Sequence, residues 1–399
     1  MQLVEQHIIT KADPRYAVID AACFASKNLY NAALYEIRQA FIFQHTYLNY
    51  SEMDKRMQSH EAYKALPAKV AQQVLKLLDK NWQGFFAAIK AWTAHPEQFQ
   101  GRPRLPKYKD KAKGRNVLVY TAQAVSKTAL RKGVIAPSQL PIEIISIQPD
   151  VAQVRIVPRS GFYVVEVVYE QEPEQAEVNP DWYAGIDLGV NNLATLTSNK
   201  SGFVPRIVNG RPVKSINQCY NKRRADLQSQ LAQINKYTSN RLERITNKRT
   251  RKIDHYLHTA SRRIIDLLVS EGIGTLVIGY NAEWKQEANM GKRSNQNFVS
   301  IPFARFIHML TYKAEFVGIQ VRMSEENYTS KYSFFDLEPI CKHTTYQGKR
   351  VKRGLFRSAT GKQYNADVNG SYNIIRKVAP DAFGQGSSGC VVHPTSLAV

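Results

Sequence analysis

The chain has 399 residues, with 55 Lys and Arg against 33 Asp and Glu and a formal net charge of +22 at pH 7. With 43% hydrophobic residues, among them 21 Tyr and 16 Phe, it can bury large cores; this excludes a disordered polyelectrolyte, and the length suits two or three domains. No apolar run approaches the roughly 18 residues of a membrane span, and Glu5 and His7 interrupt the place where a signal peptide would carry its apolar core. The positive balance calls for a polyanion, and the aromatic residues among the cations favour nucleic acid over a membrane surface, in a cytoplasmic protein.

In chain order, residues 3–10 alternate as a strand, and residues 16–44 carry apolar positions at helical spacing after Asp13-Pro14. A second helix begins near Pro67 and puts Val70, Val74, Leu77, Leu78, Phe85, Ile89 and Trp92 on one face. Prolines then forbid regular structure in residues 101–109, where Arg102, Arg104, Lys107 and Lys109 form a basic strap suited to phosphates. Residues 154–157 and 162–168 read as strands joined at Ser160-Gly161, so the helical pair is an insertion in a β-module.

After an acidic linker, residues 184–187, 193–197 and 203–208 form an antiparallel meander with tight turns. Residues 206–263 hold fifteen Lys and Arg against three Asp and Glu, on two long helices around a loop near Tyr237. A solvated helix surface mixes charge signs; this stretch hardly does, which points to nucleic acid held by Lys222, Arg223, Arg224, Arg241, Arg244, Lys248, Arg249, Arg251 and Lys252. A strand at 275–280, a helix at 303–316 and a strand at 319–325 make a right-handed βαβ unit. A basic insertion at 341–363 supplies Lys349, Arg350, Lys352 and Arg353, a last helix opens at Asn365, and residues 381–399 read as a disordered tail. The four cysteines form no C-x-x-C pair; Cys341 and His343 are the only near neighbours of metal-ligand type.

This order of elements is that of an RNase H type of fold, in which the first strand lies in mid-sheet and a carboxylate on it faces the parallel strand that follows. Asp187 ends such a strand, with Gly185 and Gly189 leaving room for a bulky polymer, and Asp367 opens the last helix. Converging carboxylates are what two Mg²⁺ ions need to cleave a phosphodiester.

The segments Tyr183-Ala184-Gly185-Ile186-Asp187-Leu188-Gly189-Val190, Tyr328-Thr329-Ser330-Lys331 and Asn365-Ala366-Asp367-Val368-Asn369-Gly370-Ser371-Tyr372-Asn373-Ile374 resemble the RuvC-type nuclease motifs of TnpB. These are the OrfB proteins of bacterial insertion sequences, related to compact type V CRISPR effectors. The resemblance implies an α/β plus β-barrel protein: a wedge-like β-barrel (1–15 and 96–175), a helical recognition module (16–95) and a RuvC-like nuclease domain (176–380) with long basic helices at 212–270. It also implies an RNA-guided DNA endonuclease with two Mg²⁺ (or Mn²⁺), a guide RNA, and target double-stranded DNA carrying a short flanking motif, associated with the nucleoid when bound to DNA.

Two departures bear on the site. The family's middle glutamate is replaced by Gly279, and its zinc ribbon of paired cysteines is missing, so no structural zinc is expected. Alternation in residues 319–325 puts Glu325 on the face of Ile319, Val321 and Met323, where it could cross to the site above Gly279. Asp187, Glu325 and Asp367 are thus the expected catalytic and metal-binding residues, with Glu326 as the fallback; Glu283 and Glu287 follow Gly279 in a loop harder to place. The alternative is a catalytically inactive guided DNA-binding protein; a strand-transferring transposase is disfavoured.

Overall fold

Strict alternation of exposed and half-buried side chains along β1 (Gln2–Thr10) makes a strand with one solvated face. The chain then leaves the sheet for α1 (Tyr16–Phe43), α2 (Tyr50–Met57), α3 (Glu61–Lys64) and α4 (Ala68–Ala94). It returns through β2 (Leu118–Thr121), α5 (Lys127–Leu130), β3 (Val134–Ile135), β4 (Ile144–Ile145), β5 (Gln153–Arg159) and β6 (Phe162–Glu170). The helix α2 starts on a reciprocal cap, in which Asn49 accepts from the Glu52 amide and Glu52 accepts from that of Asn49.

This computed structural model describes residues 1–281, 291–352, 354–384 and 389–399. They divide into two units, Met1–Gln171 and Glu172–Val399. In the first, the antiparallel sheet runs β1-β6-β5-β2, and β1 pairs with β6 from Gln2–Glu170 to Thr10–Phe162. The helices are therefore inserted between paired strands, as the sequence suggests. They are not a separate module, because Ile19, Leu34, Leu78 and Trp82 share one core with Tyr120, Ile156 and Val165. The strap lies on these helices: Asn31 exchanges hydrogen bonds with the Lys109 backbone (2.9 Å each way), and Arg102 packs over Trp92. Arg102, Arg104 and Lys107 remain exposed, whereas Lys109 folds over the Tyr30 ring and is half-buried.

The second unit opens with β7 (Asn179–Leu188), β8 (Asn192–Ser198) and β9 (Arg206–Asn209), followed by α6 (Arg211–Ala232), α7 (Asn240–Ser270), β10 (Ile273–Gly279), α8 (Lys292–Val299), α9 (Phe303–Phe316) and β11 (Gln320–Ser324). It closes with β12 (Lys349–Lys352), β13 (Leu355–Arg357), β14 (Gln363–Asn365), α10 (Ala366–Val378) and β15 (Thr395–Leu397). Its largest sheet runs β11-β10-β7-β8-β9-β15, so the first strand of the unit is central and β10 and β11 add to it in parallel. One face is apolar: Ile186, Leu276 and Ile278 pack on Leu257, Ile264, Phe306 and Leu310 of α7 and α9.

The opposite face carries α10, and glycine decides how closely. A Cβ at Gly185 would run into the Ser371 carbonyl and lie 2.8 Å from Ile375, while the Ser371 hydroxyl donates to the Gly185 carbonyl at 2.8 Å. Gly185 therefore admits the helix, where the sequence suggested room for a polymer.

The basic insertion forms the small sheet β12-β13-β14. Its core is aromatic, with Phe334 stacked on Tyr372 at 4.4 Å and Phe335 against Tyr364 at 4.7 Å. Glu338, 1% exposed, accepts from the Ser333 amide (2.8 Å) and the Gln347 amide (3.0 Å) and so closes the loop before β12. The expected disordered tail is corrected: β15 pairs in parallel with β9, and the Val391 carbonyl accepts from the Tyr372 hydroxyl at 3.0 Å, because the edge of β9 offers unpaired backbone groups. Among the described residues no helix is long and apolar enough to cross a membrane.

Candidate active site

Asp187 lies one residue past the Ile186–Ile278 pair that joins β7 to β10, so its side chain stands on the α10 face beside Gly279. Across that glycine comes Glu326. The strand β11 ends at Ser324, opposite Gly279, and the chain turns: the Glu326 amide donates to Asn281 (3.0 Å), and the Glu326 carbonyl accepts from the Thr329 amide (3.2 Å) and hydroxyl (3.0 Å). The Glu326 carboxyl lies over Gly279, where a Cβ would meet its Oε1, and the Leu188 amide donates to it.

The expectation for Glu325 is corrected on geometry. Its side chain is exposed, with Oε2 accepting from Asn327 at 3.2 Å, while Glu326 takes the inward position. The alternation of residues 319–325 aims Glu325 at the other face of the sheet. The large apolar residues of the sheet look to α7 and α9; the site lies on the face of Gly185, Asp187, Gly279 and the 5% exposed Ser324, on whose side Glu326 continues. Glu283 and Glu287 lie outside the described residues.

Asp367 approaches Asp187 from the other side. The helix α10 is capped by Asn365, whose Oδ1 accepts from the amides of Asp367 (2.8 Å) and Val368 (3.2 Å), so Asp367 is free of capping. Its carboxylate instead accepts from Asn192 (2.7 Å) and Arg350 of β12 (3.2 Å). Asp187 and Asp367 line a cavity of about 430 Å³ with Asn192, Arg211 and Arg350. Two further asparagines tie the acids together. Asn373 donates to the carbonyls of Thr329 and Tyr332 (2.9 Å each), and Asn369 donates to that of Tyr332 (2.6 Å). The segment that follows Glu326 thus hangs on the helix that carries Asp367. Asn369 and Asn373, four apart on one face of α10, were the readable signal for this, as was Asn192 at the start of β8.

The electrostatics follow from crowding. Burial, then the charge of Asp367, hold the Asp187 carboxyl well above the usual carboxylate range, and Arg350 opposes this. Burial, then the charge of Asp187, raise Glu326, and the Leu188 amide opposes. Glu326 Oε1 is buried and has no hydrogen-bond partner. Hard oxygens that repel one another, one of them orphaned, are a donor set that fits Mg²⁺ or Mn²⁺. Among the described residues no three acids close into a ready cage, since Asp367 is drawn to Arg350.

The basic residues fall into three groups. Lys222, Arg223, Arg224, Arg241, Arg244, Lys248, Arg251 and Lys252 are exposed on α6 and α7, and Lys349, Arg350 and Lys352 on β12. Arg249 is corrected: it is half-buried and donates to Asn217 (2.8 Å) and the Ser300 carbonyl (2.7 Å), fastening the helices to the chain before α9. Arg353 lies outside the described residues.

Two family models match the chain: OrfB_IS605, described as a probable transposase, over residues 166–285, and the Cas12f1-like TNB domain over residues 303–374. A TnpB-like protein of the Acidianus two-tailed virus is 24% identical over 204 residues, 49% of this chain and 41% of its own length. A TnpB-like protein of Methanocaldococcus jannaschii is 25% identical over 232 residues, 54% of this chain and 79% of its own. Among solved structures, the Cas12f1 chain in a complex with single guide RNA and target DNA shares the fold, with a TM-score of 0.54 at 16% identity, over 90% of this chain and 81% of its own. By both family models and these relatives, the chain is similar to TnpB-like proteins.

Proposed function

We propose that this protein is an RNA-guided DNA endonuclease of transposon origin, hydrolysing target-strand phosphodiesters in a RuvC-like site of RNase H type. The observation that carries the reading is the buried pair Asp187 and Glu326 facing each other across Gly279, with Asp367 on the far side of Asp187. Asp187, Glu326 and Asp367 would hold two Mg²⁺ ions, which when bound supply an activated water and charge stabilisation at the phosphate. The chain's own part is positional. Asp187 is the acid common to both sides, and the Leu188 amide holds the Glu326 carboxyl toward it. Arg350 sits in the cavity wall, so a phosphate there competes with Asp367 for its guanidinium and frees the carboxylate. The exposed cations of α6, α7, the strap and β12 supply sequence-independent grip on guide and target backbones, while base pairing reads sequence. The matched region spans about two-fifths of the viral relative's length.

The test is cleavage of a plasmid bearing a guide-matched target by protein copurified with RNA from the flank of its own gene. Asp187→Asn and Glu326→Gln should abolish cutting and Glu325→Gln should leave it near the parent level. Retained guided binding without cutting in the parent would favour the second reading, a guided repressor. That reading rests on Gly279 and on the Arg350–Asp367 pair.

A further inference from the structure

Away from the acids, α6 and α7 enclose a second cavity of about 260 Å³. Its α6 wall is Ile216, Cys219, Tyr220 and Arg223, and its α7 wall is Ile245, Lys248, Arg249 and Lys252. The spacing on both helices is that of one helix face, so two stripes confront each other. Four lining residues are cations and no acid lines the cavity, whereas Ile216, Ile245 and the Tyr220 ring make an apolar wall. The ring is held in place: its hydroxyl pairs with Thr246 at 3.1 Å, and the Arg249 guanidinium lies 5.5 Å from its centre. A neighbouring cavity of about 350 Å³ shares Arg223 and Ile245 and adds Arg241 and Arg244 beside the acid Asp226, so cations outnumber acids along the seam.

A patch that only gripped duplex backbone would need cations alone, without an apolar wall. This one is concave, at the small end of ligand pockets, with an ordered aromatic residue. We infer that the notch between α6 and α7 takes one unpaired nucleotide of a bound single strand, its phosphate among Arg223, Lys248 and Lys252 and its base against Ile216, Tyr220 and Ile245. The inference deepens the proposed function and rests on it for the presence of a single strand; the source, guide RNA or displaced DNA, is left to the arms of the experiment.

Cys219 lies exposed in the wall and reports occupancy. The full chain is bound to saturation, judged by fluorescence anisotropy, with oligo-uridylate, oligo-thymidylate or an abasic strand of equal length. Alkylation of Cys219 is then followed by peptide mass mapping. Base-bearing strands should slow the reaction at least about fivefold more than the abasic strand, the smallest effect expected of a base stacked on an aromatic residue. Cys219→Trp, which fills the notch from an exposed position and has no thiol to alkylate, should bind base-bearing and abasic strands with equal affinity by anisotropy, where the parent prefers base-bearing strands. Stronger protection by uridylate names RNA as the source, and stronger protection by thymidylate names DNA; either supports the notch. Unchanged alkylation under saturating strand, or equal protection by the abasic strand, overturns it. Guided cutting without protection would sink the notch alone; protection without cutting would sink the nuclease alone.

Discussion

Glu326 occupies the space that a side chain at Gly279 would fill, and this allows the carboxylate to be moved back across the strands. A Cβ at Gly279 would meet Glu326 Oε1 and lie 2.6 Å from Ile374 Cδ1 and 2.8 Å from Glu326 Cγ. Gly279→Glu alone therefore overpacks a full site, at about 1–3 kcal/mol, and adds a like charge beside Asp187 and Glu326. Glu326→Ala alone removes one oxygen pair of the proposed ion site; at several kcal/mol of charge stabilisation, the cutting rate should fall at least about a hundredfold. In the double variant the truncated Glu326 vacates the volume and the new glutamate enters it. Coupling between touching positions reaches about 3 kcal/mol, so the double variant should cut up to about 150-fold faster than the product of the single effects. The assay is single-turnover cleavage of guide-matched DNA for all four proteins, with melting temperatures alongside. Activities that multiply independently, with a melting temperature restored in the double variant, would refute the claim that Glu326 stands in for a residue at 279.

Burial raises both Asp187 and Glu326, so without bound metal the folded chain should hold more protons than the unfolded one above the ordinary carboxylate range. Their contribution to stability should therefore be full in acid and lost as pH rises through neutrality. Ion-free melting curves from about pH 5 to about pH 8 should show this loss, and Glu326→Gln should flatten it. Titrating Mg²⁺ at neutral pH should release protons, seen as calorimetric heats that vary with buffer ionisation enthalpy. Glu338→Ala strands the Ser333 and Gln347 amides and should cost about 2–4 kcal/mol, read from denaturant midpoints, whereas a zinc chelator should leave the parent midpoint unchanged. Asn373→Ala should lower cutting at least about tenfold with little change in strand binding, because it releases the turn that aims Glu326.

Much of the site was legible because its determinants are local. The helix opening at Asn365, the strand ending at Asp187 and the parallel βαβ unit each follow from short-range pattern, and their bounds in the sequence are nearly those of the structure. What failed was non-local. Whether Glu325 or Glu326 faces inward depends on which face of an edge strand receives α10 and on a turn pinned by Asn281 and Thr329, and neither is written in alternation. Gly185 was read correctly as a demand for space but assigned to the wrong neighbour, since the helix that fills it comes 186 residues later. The tail looked disordered by composition, and only the open edge of β9 recruits it. Arg249 carries the same charge as its exposed neighbours; the carbonyl of Ser300 sets it apart.

Both outer acids lean on α10, so the geometry of the proposed site is tied to the seating of one helix. A slide of that helix along Gly185 carries Asp367 directly and Glu326 through Asn373, while Asp187 stays with the central strand. Loosening the helix would therefore disturb both proposed ion positions together, where three independently mounted carboxylates would fail one at a time.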